Sequence, residues 1–254
     1  IALWSGEDGE KFTLDVIKDE GLWLKTKLAP IPPEDRAKSD YKTMDVETTA
    51  KYFAREVTFT HLDCQSLNIM KSDAIWGENA VRLIDFEYAG HNPRALDLAN
   101  TFCEVCKMND LIPDYIAEEL NAKEGRFYLD TYITTSFPEM KELQVSIGGE
   151  ARYEEFLTEF RVEVDQHMMA SHLVWAMWSI IQACISPIEF DYMKYGRLRM
   201  EGYYLKKQQL GHLTTQPVVD DIDEELERPS FMRRPSMNLF YLNNPGLIFP
   251  VSIP

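Results

Sequence analysis

The sequence lacks an excess of basic residues. Its 254 residues include 26 Lys and Arg against 42 Asp and Glu, so the formal net charge is −16 and the pI is near 4.7. Binding to nucleic acid or to an anionic membrane depends on clustered Lys and Arg. The composition therefore argues against both partners and suits a cationic small molecule.

Cysteine is also scarce. Four cysteines are too few and too unevenly spaced for a disulfide-stapled secreted fold, which predicts a reducing, cytoplasmic location. Cys103 and Cys106 form a CxxC pair, but no second Cys or His pair follows at zinc spacing. We therefore expect neither a zinc site nor a redox function there.

Long hydrophobic runs are missing as well. The most apolar uncharged stretch, residues 168–185, approaches the roughly 20 residues that span a bilayer, but it contains polar residues: Ser171, His172, Ser179 and Gln182. It therefore predicts a buried helix and no membrane span. The first residues show neither a secretory signal nor an initiator Met, so we expect that upstream residues are missing.

The patterns that are present are mainly helical, with a small β element. VTFTHL at 57–62 and AVRLIDF at 80–86 predict two short strands, connected through the turn residues of KSDAIWGEN. Apolar residues then recur at helical spacing over residues 94–108 and over residues 153–209, where Pro187 interrupts the pattern. The predicted class is α+β, mainly helical, with the two strands delivering their ends to one place.

The composition changes after residue 210. Residues 211–254 contain several prolines and an acidic block followed by a basic one, which predicts a C-terminal extension to a domain at 1–210. An RRPS sequence in this extension is similar to basophilic phosphorylation motifs, although such short matches arise often by chance.

Polar residues follow the two predicted strands in an order that suits phosphoryl transfer. His61, Asp63 and Asn68 come with the first strand, and Asp85 begins an Asp-Phe-Glu at the end of the second. Phosphoryl transfer needs a carboxylate that deprotonates the attacking hydroxyl, and oxygen ligands for magnesium. A single Asp after a strand is usually a turn residue, but the combined spacing predicts Asp63 as the base and Asp85 as a Mg2+ ligand.

Two further residues have supporting roles in this interpretation. His61 is interpreted as an organiser of the loop, and Asp97, in RALDLAN, as a residue that holds the loop backbone. Protein kinases have His-Arg-Asp and Asp-Phe-Gly at the corresponding places. Here Leu62 replaces the arginine and Glu87 replaces the glycine. These differences favour the small-molecule kinases that share the fold.

Two segments, FTHLDCQSLNIM and RLIDFEYAGHNPRALDLANTFCE, resemble the signatures of the choline/ethanolamine kinase family, and the resemblance extends over residues 57–207. It implies a protein-kinase-like fold, ATP as co-substrate, Mg2+ as cofactor, and phosphocholine formation for phosphatidylcholine synthesis. Carried onto this chain, it implies Asp63 as base, Asn68 and Asp85 as metal ligands, and Gln65 beside the substrate.

The chain departs from the family pattern in two places. Leu62 stands where the family commonly has Asn, and residues 105–110 lack the aromatic residue that the family often has after the position of Glu104. The substrate site could therefore be built slightly differently.

Choline has a quaternary ammonium that donates no N–H hydrogen bond, so aromatic faces and carboxylates must attract it. Two Trp on an apolar helix are more often core residues. However, ASHLVWAMWSIIQACISPIEFDYMKYGRLR resembles the choline kinase version of this segment, which implies aromatic rings around the trimethylammonium. With Tyr88 and Glu104 from the signature, the predicted substrate-binding residues are Tyr88, Glu104, Trp175, Trp178, Tyr192 and Tyr195. A role for Glu87 is left open.

No glycine-rich loop followed by a Lys-bearing strand precedes His61, although a kinase of this fold needs both in its smaller lobe. We therefore expect the chain to be the larger, C-terminal lobe. The N-terminal lobe would lie on another chain or in an upstream segment, and a homodimer is a further expectation.

Several functions stay open at this stage. A choline kinase is favoured by Asp-Cys-Gln after Leu62 and by the Ser-Ile-Ile-Gln that follows Trp178. An ethanolamine or dual kinase has the same motifs, and a choline-binding fragment without catalysis is the alternative from another class. An antibiotic phosphotransferase shares His-x-Asp and Ile-Asp, but it calls for a less aromatic pocket.

Overall fold

A computed structural model describes residues 13–36, 40–72, 81–104 and 122–212, together with residues 75 and 111. Along these segments lie α1 (Leu14–Lys27), α2 (Pro33–Arg36), α3 (Val46–Arg55), β1 (Val57–Thr60), a 3-10 turn (Ser66–Asn68), β2 (Ile69–Lys71), β3 (Val81–Leu83), β4 (Gly90–Pro93), α4 (Arg94–Glu104), α5 (Ala122–Ser136), α6 (Pro138–Ile185) and α7 (Tyr192–Gln209).

The chain divides into two compact units. The first contains α1, the end of α6 from residue 169, and α7. The second contains α2 to α5, the four strands, and α6 up to residue 168. The predicted extension lies almost wholly outside the described residues, so a lobe at 1–210 followed by an extension stays a prediction.

The strands form two separate two-stranded antiparallel sheets in the second unit. β1 pairs with β4, with Thr60 opposite Gly90, and β2 pairs with β3, with Ile69 opposite Leu83. The predicted strands at 57–62 and 80–86 are therefore present as β1 and the shorter β3, but they do not pair with each other. Their partners were not predicted, because β2 is only three residues long and GHNP in β4 has the composition of a turn.

The core of the second unit is built on α3. Asp45 caps this helix by accepting a hydrogen bond from Thr48 N at 2.7 Å. The Phe53 ring packs edge-on against Phe137 at 5.3 Å. The buried Arg94 guanidinium lies 3.7 Å from the Phe53 ring centroid and forms an ion pair with Glu56 at 3.2 Å. These contacts fix the point where β4 passes into α4.

The predicted helix over 153–209 with a break near Pro187 is confirmed. α6 ends at Ile185 and α7 begins at Tyr192, where Asp191 accepts a hydrogen bond from Lys194 N at 2.9 Å. A second break lies inside α6, where Gly149 has a φ of 73° that glycine adopts without a Cβ penalty.

Within the described residues, α6 is the one helix that is long and apolar enough to cross a membrane. However, 61% of its most apolar 18-residue window is buried inside the protein. That burial is typical of a core helix, which agrees with the prediction for residues 168–185.

In the first unit, α1 contacts α7 through one shared carboxylate. Glu20 accepts hydrogen bonds at 2.5 Å from both the Tyr203 hydroxyl and the Lys207 ammonium. The same ammonium lies 4.0 Å from the Trp23 ring centroid. Because the cation is paired with both a charge and a ring, this contact holds the two helices together.

Candidate functional site

The loop at residues 61–68 follows β1 and is held by one carboxylate from α4. Asp97 accepts a hydrogen bond from His61 N at 2.9 Å and another from Leu62 N at 2.8 Å, one on each oxygen. Leu62 has a φ of 63°, in the left-handed region that non-glycine residues rarely adopt. Asp97 therefore stabilises the turn that delivers Asp63.

The Asp63 carboxylate is buried and hydrogen-bonded. Asn68 Nδ2 donates to Asp63 Oδ2 at 2.7 Å and to its backbone oxygen at 2.9 Å, and Gln65 Nε2 donates to Oδ2 at 3.3 Å. Burial raises the pKa of Asp63, the nearby Glu104 charge raises it further, and the bonds from Gln65 and Asn68 oppose both effects. A fixed carboxylate with a raised pKa is suited to accept a proton.

His61 connects this loop to the end of β3. Its Nδ1 accepts a hydrogen bond from Asp63 N at 3.2 Å, so Nε2 carries the proton and donates to Ile84 O at 2.9 Å. Ile84 N also donates to Asn68 O at 3.0 Å. The residue after Ile84 is Asp85, so the structure brings the ends of the two predicted strands together.

The remaining signature residues surround this junction or follow it. Asp85 is exposed with a φ of 65°, Glu87 is exposed, Tyr88 is partly buried, and Glu104 is partly buried at the end of α4. The described residues contain no group of three or more His, Cys, Asp or Glu that could hold a metal ion. A site with only two protein ligands remains compatible with this observation, since Mg2+ usually keeps waters and substrate phosphates as ligands.

The predicted aromatic residues of the first unit contact one another. Trp178 lies 5.2 Å from Trp175, 5.6 Å from Tyr192 and 6.1 Å from Tyr195, between ring centroids. Phe190 joins them, at 5.0 Å from Tyr192 and 5.9 Å from Tyr195. These five rings form what we call the aromatic cluster. Sequence reasoning missed Phe190 because it precedes the helix, although its place two residues before Tyr192 was a usable signal.

The aromatic cluster already contacts a cation of the protein. The Arg199 side chain is buried, and its Nε donates to the Tyr195 hydroxyl at 2.9 Å. Its Cζ lies 5.1 Å from the Tyr195 ring centroid and 5.9 Å from that of Trp175. Both rings are buried, whereas Trp178 is partly exposed. Sequence reasoning also missed Arg199, although it follows Tyr195 at the i,i+4 spacing that brings helical side chains together.

Residues 18–204 match the family model described as choline/ethanolamine kinase. The chain belongs to this family. It is 36% identical over 160 residues to probable choline kinase 3 of Arabidopsis thaliana, which covers 61% of this chain and 42% of that protein. It is 33% identical over 184 residues to choline kinase alpha of Mus musculus. That match covers 66% of this chain and 37% of the mouse protein. The chain thus spans less than half the length of these two relatives, and other family relatives are named as ethanolamine kinases.

A solved structure of the family has a similar fold. The choline kinase from Cryptosporidium parvum Iowa II superposes with a TM-score of 0.50 at 21% identity, over 78% of this chain and 56% of that one. The predicted kinase-like, mainly helical fold with few strands is thereby confirmed. Its division into lobes stays a prediction.

Proposed function

We propose that the protein containing this chain is an ATP-dependent choline kinase that transfers the γ-phosphoryl group of ATP to the choline hydroxyl. The observation that carries this proposal is the buried Asp63 carboxylate, held by Asn68 at 2.7 Å in a loop that Asp97 supports. This arrangement supplies an oriented proton acceptor on a hydrogen-bonded loop, which is what phosphoryl transfer to an alcohol requires.

In this mechanism Asp63 takes the proton of the choline hydroxyl as the choline oxygen attacks the γ-phosphorus. The bond from phosphorus to the β,γ-bridging oxygen breaks, ADP leaves, and phosphocholine forms. The proton then passes from Asp63 to solvent. Gln65 and Asn68 keep the carboxylate oriented, and His61 keeps the Asp63 and Asp85 segments together through its bond to Ile84.

Asp85 and Asn68 would hold Mg2+ in this proposal. Their carboxylate and amide oxygens are the hard donors that Mg2+ prefers, and Asn68 uses its amide nitrogen, not its oxygen, to reach Asp63. When bound, Mg2+ supplies charge neutralisation for the phosphates. Changing Asp85→Asn should raise the Mg2+ concentration for half-maximal activity about tenfold or more, since one charged ligand is lost.

The preference for choline is supported by the aromatic cluster. A trimethylammonium gains about 0.5–2 kcal/mol from each ring face that it contacts. Trp178 is the partly exposed ring among the predicted four, so we assign it the first contact with the ligand. Tyr88 and Glu104 complete the proposed substrate-binding set, with a role for Glu87 left open. Family relatives named as ethanolamine kinases make an ethanolamine or dual kinase the main alternative.

The nucleotide clamp belongs, in this proposal, to an N-terminal lobe on another chain or in an upstream segment. The strands and loops around residues 61–68 support this idea, because they expose several large apolar side chains: Phe59, Leu67, Ile69, Met70, Val81, Leu83, Ile84 and Phe86. A local excess of exposed large apolar side chains suits an interaction site. A cytoplasmic location, a homodimer and a part in phospholipid synthesis are further elements of the proposal.

The test is a phosphorylation assay of the purified full-length protein with ATP and Mg2+, using choline, ethanolamine and an aminoglycoside as acceptors. We expect the highest kcat/KM for choline, and a higher value for ethanolamine would overturn the choline preference. The same assay on this chain alone tests the non-catalytic alternative, which phosphocholine production would exclude.

A substitution in the loop tests the assignment of the base. Asp63→Asn should lower kcat by about 100-fold or more while thermal unfolding changes little, because the side chain keeps its shape but cannot accept the proton. Asp45→Asn is the matched control, since Asn also caps helices well. Equal turnover by the Asp63 variant would remove this residue from its role.

A further inference from the structure

We propose that Arg199 is a positioning residue for the cationic substrate, which sets the KM for choline by holding the rings of the aromatic cluster. The inference rests on the proposed function and goes beyond it, because Arg199 would act without touching the ligand. The buried Arg199 guanidinium lies against the Tyr195 and Trp175 rings, which are proposed to bind a different cation.

The contact with Tyr195 is directional. Arg199 lies one helical turn after Tyr195 on α7, and its Nε–H donates to the Tyr195 hydroxyl at 2.9 Å. The guanidinium is planar, and its donors point in fixed directions, so it restrains the partner more tightly than an ammonium would. The hydroxyl end of the Tyr195 ring is therefore held in place.

The restraint extends to the partly exposed ring. Tyr195 packs against Trp178 with an interplanar angle of 70°, and Trp175 packs against Trp178 at 73°. Arg199 contacts both of these buried rings. The orientation of Trp178 is consequently restrained by two neighbours that share one guanidinium, as well as by Tyr192.

Close helix packing fixes the register of the same rings. A Cβ added to Gly196 would lie 2.1 Å from Ser179 Oγ, so α7 can approach α6 here only because residue 196 is glycine. Ser179 follows Trp178 and Gly196 follows Tyr195 in the sequence. The backbones that carry the Trp178 and Tyr195 rings are therefore in close contact. Arg199 then restrains the direction of the Tyr195 side chain.

Two physical effects of Arg199 oppose each other, and they predict opposite results. Its positive charge repels a second cation at the same rings, so by charge alone its removal would tighten choline binding. Its hydrogen bond pre-organises the rings, and by this effect its removal would weaken binding. We infer that pre-organisation dominates, because the guanidinium donates a hydrogen bond directly to a ring of the cluster.

The experiment compares Arg199→Met, Arg199→Lys and wild type in the full-length protein. We expect the KM for choline to rise about tenfold in Arg199→Met, with kcat and the KM for ATP within about threefold of wild type. Arg199→Lys retains the charge and should give an intermediate KM. A lower KM in Arg199→Met would show that repulsion dominates, and an unchanged KM would show no effect on the site. Either result overturns the inference.

Two further variants separate positioning from a loss of folding. Tyr203→Phe changes an equally buried residue on α7 that bonds to Glu20, and it should lower stability but leave the KM for choline unchanged. Tyr195→Phe combined with Arg199→Met should raise KM no further than the single changes do, because both remove the same hydrogen bond. Additive effects would contradict the mechanism.

The proposed function can fail independently of this inference. If wild type phosphorylates choline but the KM of Arg199→Met does not change, only the role of Arg199 is overturned. If the wild-type protein does not phosphorylate choline or ethanolamine, and calorimetry shows no binding of either, the proposed function and the role of Arg199 are both overturned.

Discussion

Asp97 and Leu62 are joined by a 2.8 Å hydrogen bond from the Leu62 N–H to Asp97 Oδ1, at the residue where the backbone turns left-handed. The other Asp97 oxygen accepts the N–H of His61. One carboxylate on α4 therefore supports the whole entry to the 61–68 loop. The position of Asp63, the proposed base, therefore depends on Asp97, although both of these Asp97 hydrogen bonds go to the two residues that precede Asp63.

The first prediction concerns this support. Asp97→Asn replaces one accepting oxygen with a donor that faces a backbone N–H, so the loop should shift and kcat should fall about tenfold or more. The KM for choline should change less than kcat. Steady-state kinetics measure both, and Asp130→Asn, which alters a carboxylate bonded to the Tyr153 hydroxyl, is the matched control. An unchanged kcat would contradict the role of Asp97.

The second prediction concerns strain at Leu62. A non-glycine residue in the left-handed region costs roughly 1–2 kcal/mol, and Asn tolerates this region better than Leu. Leu62→Asn should therefore raise the free energy of unfolding by about 0.5–1 kcal/mol. Urea unfolding measures the change, with Leu67→Asn as an exposed control. A loss of stability would mean that the packing of the Leu62 side chain outweighs the strain.

The third prediction is a pH dependence of activity. Asp63 must be deprotonated to accept a proton, so kcat/KM should fall as the pH drops through its pKa, which burial raises above the ordinary value of 3.8. The Gln65 hydrogen bond lowers this pKa, so Gln65→Met should move the acidic limb of the profile to higher pH. A limb that stays in place or moves to lower pH would contradict this assignment.

The fourth prediction is a pH dependence of stability. Burial lowers the pKa of His167 from 6.5 to about 4, and its Nδ1 donates to Glu163 O at 2.7 Å. His167 therefore binds a proton more readily in the unfolded chain than in the folded one. Its effect on the free energy of unfolding is negligible well above pH 6.5, and it destabilises the fold as the pH falls from 6.5 towards 4. The loss at pH 5 should be about 2 kcal/mol.

A substitution isolates the contribution of His167. His167→Asn keeps a donor for the Glu163 carbonyl but cannot titrate, so the difference in urea midpoint between pH 7 and pH 5 should shrink. His91→Asn is the comparison, because His91 is an exposed residue of β4. If the pH dependence of the His167 variant equals that of wild type, another group is responsible.

Much of the local structure could be predicted from the sequence. β1, the break between α6 and α7, and the order of Asp63, Asn68 and Asp85 all follow from short-range patterns, because strand and helix periods act within a few residues. β4 was missed for the same reason. The residues of GHNP have the local preferences of a turn, and only pairing with β1 makes them a strand.

The contacts that turn these residues into a candidate site could not be predicted in this way. Asp97 reaches His61 across 36 positions, and His61 reaches Ile84 across 23. The sequence determined which chemical groups this family member carries and their spacing along each segment. The tertiary structure decided which groups meet, including Arg199 with Trp175, because packing between distant segments depends on the shape of the whole core and not on any local period.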